Sequence, residues 1–248
     1  MDFTLNEEQI AIRDTCREFA EQEIKPRAEE MDATGKFPYA LIHKMGEIGL
    51  LGLPFPEEYG GAGADFLSYC IAIEEISRGD VSVGVTMEAH TSLGAMPFYL
   101  FGNEQQKQRY LPPLAHGEQL WAFGLTESES GSDSGGAQTR AVLQDGHWRI
   151  NGSKAFITNA GTDITGGVTI AAVTGTRPDR RNEISNIIVP KGTAGYIIGK
   201  SYKKMGWKAS DTRPLAFEDC LVPAENILGQ RGDGFKQFMH ILDGGRVA

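Results

Sequence analysis

Two segments of this chain carry the residue types that a large, flat, anionic ligand needs. Residues 125–133 read Leu125-Thr126-Glu127-Ser128-Glu129-Ser130-Gly131-Ser132-Asp133, and about one hairpin later residues 151–159 read Asn151-Gly152-Ser153-Lys154-Ala155-Phe156-Ile157-Thr158-Asn159. Gly131 lets backbone amides approach an anion closely. Thr126, Ser132 and Thr158 carry hydroxyls that donate or accept, and Phe156 offers a ring face for stacking. Taken singly, a Ser/Gly/Asp cluster is usually an ordinary turn, and Ile-Thr-Asn an ordinary strand end. The two in this order suit a flavin with its pyrophosphate.

The chain resembles the acyl-CoA dehydrogenases, whose middle domain carries T-E-P-x-A-G-S-D followed by N-G-x-K-x-W-I-T-N. Other landmarks follow in order: Pro56-Glu57-Glu58-Tyr59-Gly60-Gly61, Phe101-Gly102-Asn103-Glu104-Gln105-Gln106-Lys107, Met205-Gly206-Trp207-Lys208-Ala209-Ser210-Asp211-Thr212, Phe217-Glu218-Asp219-Cys220-Leu221-Val222-Pro223 and Leu242-Asp243-Gly244-Gly245-Arg246. Departures are Ser128 for the motif's Pro, Ser130 for its Ala and Phe156 for its Trp. Ser128 frees a backbone that Pro would fix, so a looser loop is expected; Phe156 still stacks but lacks the indole N–H.

The resemblance implies FAD as cofactor, held by Phe123, Gly124, Leu125, Thr126, Gly131, Ser132, Phe156, Ile157 and Thr158. It implies an acyl-CoA substrate bordered by Ser132, Asp243, Gly244, Gly245 and Arg246, with Leu93 and Leu242 beside the acyl chain. The reaction implied removes two hydrogens from the thioester: a carboxylate takes the α proton while the β hydrogen leaves as hydride to the flavin. Electrons then pass to an electron-transfer flavoprotein. Some family members carry the base at the position of Gly245, which has no side chain to offer. No catalytic base is therefore assigned within the chain, and one is expected beyond Ala248. Short- to medium-chain acyl groups, branched ones included, are the expected substrates, and a homotetramer the expected assembly. A flavin oxidase or monooxygenase of the same fold is an alternative, as is a non-catalytic acyl-CoA-binding fragment.

Other polar residues have plainer readings. Glu127 and Glu129 are expected as solvated loop charges, His90, His116 and His147 as surface or packing residues. Arg177, Arg180 and Arg181 read as a solvated loop that could meet CoA phosphates.

A formal net charge of −9 and a pI near 5.1 lack the basic footprint that nucleic acid or an anionic membrane requires. Cys16, Cys70 and Cys220 are widely spaced, without CxxC, so neither a metal site nor a disulfide framework is indicated, and a cytoplasmic location is expected. The acidic start lacks an apolar leader region, and no apolar run approaches a membrane span.

The elements that must position these residues change type along the chain. A capping box at Thr4 and Glu7 opens an amphipathic helix running to Pro26. Helices are expected over 38–48 and 66–77, a helix apolar on all sides over 81–100, and a short one capped by Asn103 and ending near Pro112-Pro113. From Trp121, short β-type runs alternate with turns: 141–143, an Asp145-Gly146 hairpin turn, 148–150, 168–173, 187–189, 196–198 and 215–217. Residues 235–247 return to a helical pattern without a C-cap signal. The expected class is α+β: an N-terminal helical domain (1–118), a barrel- or sandwich-like flavin-binding β domain (119–232), and the opening helix of a truncated C-terminal helical bundle (233–248).

Overall fold

Helix α1 (Glu7–Phe19) begins at Asn6, whose side chain accepts from the Gln9 amide while the Gln9 side chain reaches back to Asn6 N. In this computed structural model, which describes residues 4–248, the cap therefore lies two residues past the expected Thr4. Asn ranks above Thr as an N-cap, and Gln9 completes the reciprocal pair. A π-helical turn (Ala20–Ile24) and a 3-10 turn at Pro26 lead into α2 (Ala28–Thr34), which Gly35 ends at φ +63°. Then come α3 (Tyr39–Glu47), α4 (Phe66–Gly79, capped by Asp65) and α5 (Val81–Glu88, capped by Asp80).

The single helix expected over 81–100 is interrupted: residues Ala89–Ala95 form a π-helical segment before α6 (Met96–Phe101). Such segments shift which side chains face a neighbour, a change of phase that a period of 3.6 does not reveal. Helix α7 (Glu104–Ala115), opened by an Asn103–Gln106 capping box, continues through Pro112 and Pro113 rather than ending there. The prolines leave the carbonyls of Gln108 and Arg109 without donors, but both residues are exposed and water serves them.

The strands are β1 (Leu120–Gly124), β2 (Arg140–Gln144), β3 (His147–Thr158), β4 (Thr165–Thr176), β5 (Asn182–Pro190), β6 (Tyr196–Ile198), β7 (Thr212–Pro223) and β8 (Ile227–Leu228). They form one mixed sheet in the order β6-β7-β3-β2-β4-β5-β8, with β1 lying parallel beside β4. Asp145 (φ +48°) and Gly146 (φ +75°) make the β2–β3 turn, the double left-handed geometry of a tight hairpin. Strand β4 is buried on both faces over most of its length, hence its apolar run from Val168 to Val173, interrupted by Thr169 alone.

Trp121 ties the sheet to the helices. Its ring packs against Phe98 (5.2 Å between centroids) and Tyr110 (5.1 Å), and its indole N–H donates to Thr169 Oγ1 at 3.0 Å. Its backbone N–H donates to His90 Nδ1 at 3.2 Å, while His90 Nε2 lies 3.0 Å from Leu114 O. This fixes His90 as a neutral, fully buried packing residue that joins the π segment, α7 and β1. Burial holds its pKa down at about 4. Finally α8 (Gly234–Val247) crosses the π segment and β5. All three cysteines are free. Among the described residues no cluster could hold a metal ion, and no helix is long and apolar enough to cross a membrane.

Candidate functional site

The second motif forms the C-terminal half of β3, with Thr158 as the strand's last residue, and it departs from regular pairing twice. Between Ile150 and Gly152 the register with β7 shifts, and Gly152 adopts φ +146°. A Cβ there would stand 2.6 Å from Thr139 Cα, so only glycine fits. Further along, Lys154 pairs with Leu215 and Ile157 with Arg213, leaving Ala155 and Phe156 as a bulge opposite Pro214. The bulge puts Phe156 at φ +60° and breaks the alternation: Lys154 and Ala155 both turn inward, and Phe156 is 64% exposed. The Phe156 ring stacks on Tyr202, centroids 4.9 Å apart.

Lys154 carries the link to the first motif. Its ammonium donates to Glu127 Oε1 at 2.7 Å and to Leu125 O at 3.1 Å. Glu127 also accepts from the Gln138 and Thr139 amides, at 2.6 and 3.1 Å. Glu127 is therefore not the solvated loop charge expected from its surroundings in sequence; it is buried, while its neighbour Glu129 is exposed. Burial alone would raise the Glu127 carboxyl, but the Lys154 charge and the amide donors outweigh it and hold the group below the usual range. Desolvation lowers Lys154 despite its partner. Nothing in the local pattern marks the pair, because its members stand 27 residues apart.

Three cavities surround this framework. One of about 150 Å³ is lined by Phe123, Leu125, Thr126, Phe156, Ile157 and Thr158 on the sheet side, and by Ala89, Leu93 and Leu242 from the helices. Both motifs thus face one space, and the Thr126 and Thr158 hydroxyls make no hydrogen bond among the described residues. Gly124 lies behind this wall, where a Cβ would stand 3.3 Å from Lys154 Cγ, and Gly131 lies in the open loop.

Ser132 instead lines a groove of about 640 Å³ with Asp133, Arg177, Arg180, Arg181, Phe235 and Met239 among others. Asn182 closes its floor by donating to Gly135 O and Ala137 O at 3.0 and 3.2 Å, and Arg177 donates to Gly232 O at 2.9 Å. The three arginines belong to a formed groove; Arg180 and Arg181 remain exposed. Asp243, Gly244 and Gly245 line a third cavity, of about 400 Å³ and largely apolar, with Phe66, Tyr69, Ser92, Met96, Leu100 and Ile241. Arg246 lies outside it, exposed and 3.7 Å from Asp243.

Set beside known proteins, residues 6–118 match the family described as acyl-CoA dehydrogenase, N-terminal domain, and residues 122–220 match acyl-CoA dehydrogenase, middle domain. The chain is 51% identical over its whole length to the short-chain specific acyl-CoA dehydrogenase of Clostridium acetobutylicum. It spans 64% of that relative, just under two thirds. A chain in the structure of the electron transferring flavoprotein of Acidaminococcus fermentans superposes with TM-score 0.93 at 48% identity, covering 99% of this chain and 64% of that one. The Bacillus anthracis acyl-CoA dehydrogenase complexed with FAD superposes with TM-score 0.90 at 40% identity, covering 98% of this chain and 41% of that one.

Proposed function

The chain belongs to the acyl-CoA dehydrogenase family, and from that footing we propose that it forms the FAD- and CoA-binding part of an enzyme that converts acyl-CoA thioesters to 2-enoyl-CoA. The observation that carries this reading is the single cavity bordered by Thr126, Phe156 and Thr158 on one side and by Leu93 and Leu242 on the other. The residues fit FAD: two unspent hydroxyls, an exposed aromatic ring at a bulge, and an open glycine loop at Gly131. Bound FAD would supply the acceptor for the β hydrogen.

The chain's own residues orient and bind. Thr126 and Thr158 would hold the cofactor through their hydroxyls, and the Lys154–Glu127 pair keeps the two segments in fixed relation. The groove from Ser132 to Arg181 suits the phosphates of CoA, with Arg177 held in place and two exposed cations, Arg180 and Arg181, beside it. Gly245 provides no proton acceptor, and the proton acceptor is assigned to no residue of this chain. Short acyl groups are the substrates, in line with the Clostridium relative's description. An electron-transfer flavoprotein is the partner, the whole protein is a tetramer, and it works in the cytoplasm. An oxidase of the same fold would differ in its acceptor. Titrating FAD into the full-length protein, then mixing the substrate-reduced form with air-saturated buffer or with an electron-transfer flavoprotein, tests both points. Fast reoxidation by the flavoprotein and slow reoxidation by oxygen are expected; the reverse order favours the oxidase.

A further inference from the structure

Glu88 ends α5 at the crossing with α8, and its surroundings are unusual for a carboxylate. A Cβ built on Gly245 would stand 3.3 Å from Glu88 Oε1, 3.3 Å from Ser92 Oγ and 3.4 Å from Leu93 Cδ2. The absence of a side chain at 245 therefore makes room for the Glu88 carboxyl between the two helices. The Ser92 hydroxyl lies within hydrogen-bonding distance of that carboxyl and 2.8 Å from the Glu88 carbonyl oxygen. From α4, Tyr69 OH donates to the same carbonyl at 3.2 Å. Burial raises the Glu88 carboxyl above its ordinary pKa against the opposing hydrogen bond from Ser92.

The position of this carboxyl relative to the cavities gives it a consequence. The π segment presents Ala89 and Leu93 to the cavity of about 150 Å³ that holds the flavin-motif residues, and Ser92 to the apolar cavity of about 400 Å³. Helix α8 does the same with Leu242 on one side and Ile241 and Gly245 on the other. Glu88 itself lines neither cavity; it precedes Ala89 on the wall of the smaller one, and its carboxyl is bonded to Ser92 on the wall of the larger.

We propose that Glu88 is a specificity-determining residue: a polar gate, held by Ser92 in the gap left by Gly245, that closes the larger apolar cavity to the acyl chain and limits the substrate to short acyl groups. The proposal rests on the acyl-CoA reading of the site. A methylene chain passing the gate would have to press against a half-buried carboxyl or displace it. Shortening the side chain would join the two cavities and reward longer chains with apolar burial.

The test uses the FAD-loaded protein and two non-reactive thioethers, S-butyl-CoA and S-octyl-CoA, with affinities measured by calorimetry. Glu88→Ala is expected to shift the octyl-to-butyl affinity ratio by about tenfold or more toward octyl, while Glu88→Gln, of equal size, stays within about threefold of wild type. Glu88→Ser, which keeps a hydroxyl at the helix crossing, is expected to shift the ratio in the same direction and serves if the alanine variant loses FAD. An unchanged ratio in the shortened variants overturns the gate alone. So does a Glu88→Gln protein whose octyl-to-butyl ratio moves as far as that of Glu88→Ala, since a side chain of equal size would then not hold the gate closed. A wild type that binds neither thioether removes the gate together with the functional reading.

Discussion

Lys154 Nζ donates to Glu127 Oε1 at 2.7 Å, with the two side chains 0% and 5% exposed, and this contact joins the two motifs on which the functional reading depends. The ammonium also holds Leu125 O, and the carboxylate also holds the amides of Gln138 and Thr139. One buried pair therefore fixes three chain segments around the same cavity wall.

Breaking that pair on one side leaves an uncompensated buried charge. Lys154→Met is expected to destabilise the fold by about 3–5 kcal/mol, while the double variant Lys154→Met/Glu127→Gln loses clearly less. Urea midpoints of wild type, both single variants and the double variant check this. Equal losses for the lysine variant and the double variant would show that the charge is not the cause.

Acid should weaken the fold through His90 before it reaches Glu127. The folded-state pKa of His90 is depressed from 6.5 to about 4, so the unfolded chain binds the extra proton first. Stability is then full above pH ~6.5 and falls as pH drops towards ~4, by roughly 3 kcal/mol across that window. Glu127, with its folded value lowered, adds a second loss only as pH falls through the carboxylate range. Thermal melts at a series of pH values should show the first loss in wild type and a flatter profile in His90→Gln. A wild-type profile that is flat between pH ~6.5 and ~4 contradicts the assignment.

Removing the hydroxyl at Thr158 should weaken FAD. Thr158→Val keeps the β-branched shape suited to β3 and deletes one donor, so FAD affinity should fall about fivefold with fold stability nearly unchanged. Fluorescence titration with FAD measures it, and wild-type affinity in the variant would take Thr158 out of the site.

How far these residues could be read from sequence depends on whether their signal is local. Motif order pointed to Thr126, Phe156 and Thr158, because small hydroxyls, glycines and a ring are visible side by side. The Asp145-Gly146 turn and the Asn103 cap were legible for the same reason: each is decided within four residues. Glu127 was misread because its partner is distant and its neighbours Ser128 and Glu129 are polar and exposed. The bulge that turns Phe156 outward depends on pairing with β7, and the π segment at Ala89–Ala95 on packing against β1 and α8. Glu88 escaped notice because an acidic residue in an apolar helix looks like a helix end until Gly245 is seen opposite it.

The arginine groove should recognise the nucleotide end of CoA and little else. Arg180→Ala/Arg181→Ala is expected to raise KM for acyl-CoA several-fold and to flatten its dependence on ionic strength, since exposed charges act through screened attraction. The same variant should treat an acyl-pantetheine thioester, which lacks the nucleotide phosphates, as wild type does. Steady-state kinetics with both substrates at two salt concentrations separates these cases, and an equal KM increase for both would place the loop elsewhere in the mechanism.

The most direct test of the account is anaerobic addition of butyryl-CoA to the FAD-loaded full-length protein, followed by absorbance and by mass spectrometry of the thioester. Loss of the oxidised flavin absorption with formation of one enoyl-CoA per flavin is the predicted result. A flavin that stays oxidised with butyryl-CoA and with every longer acyl-CoA, in protein that holds FAD, would contradict it.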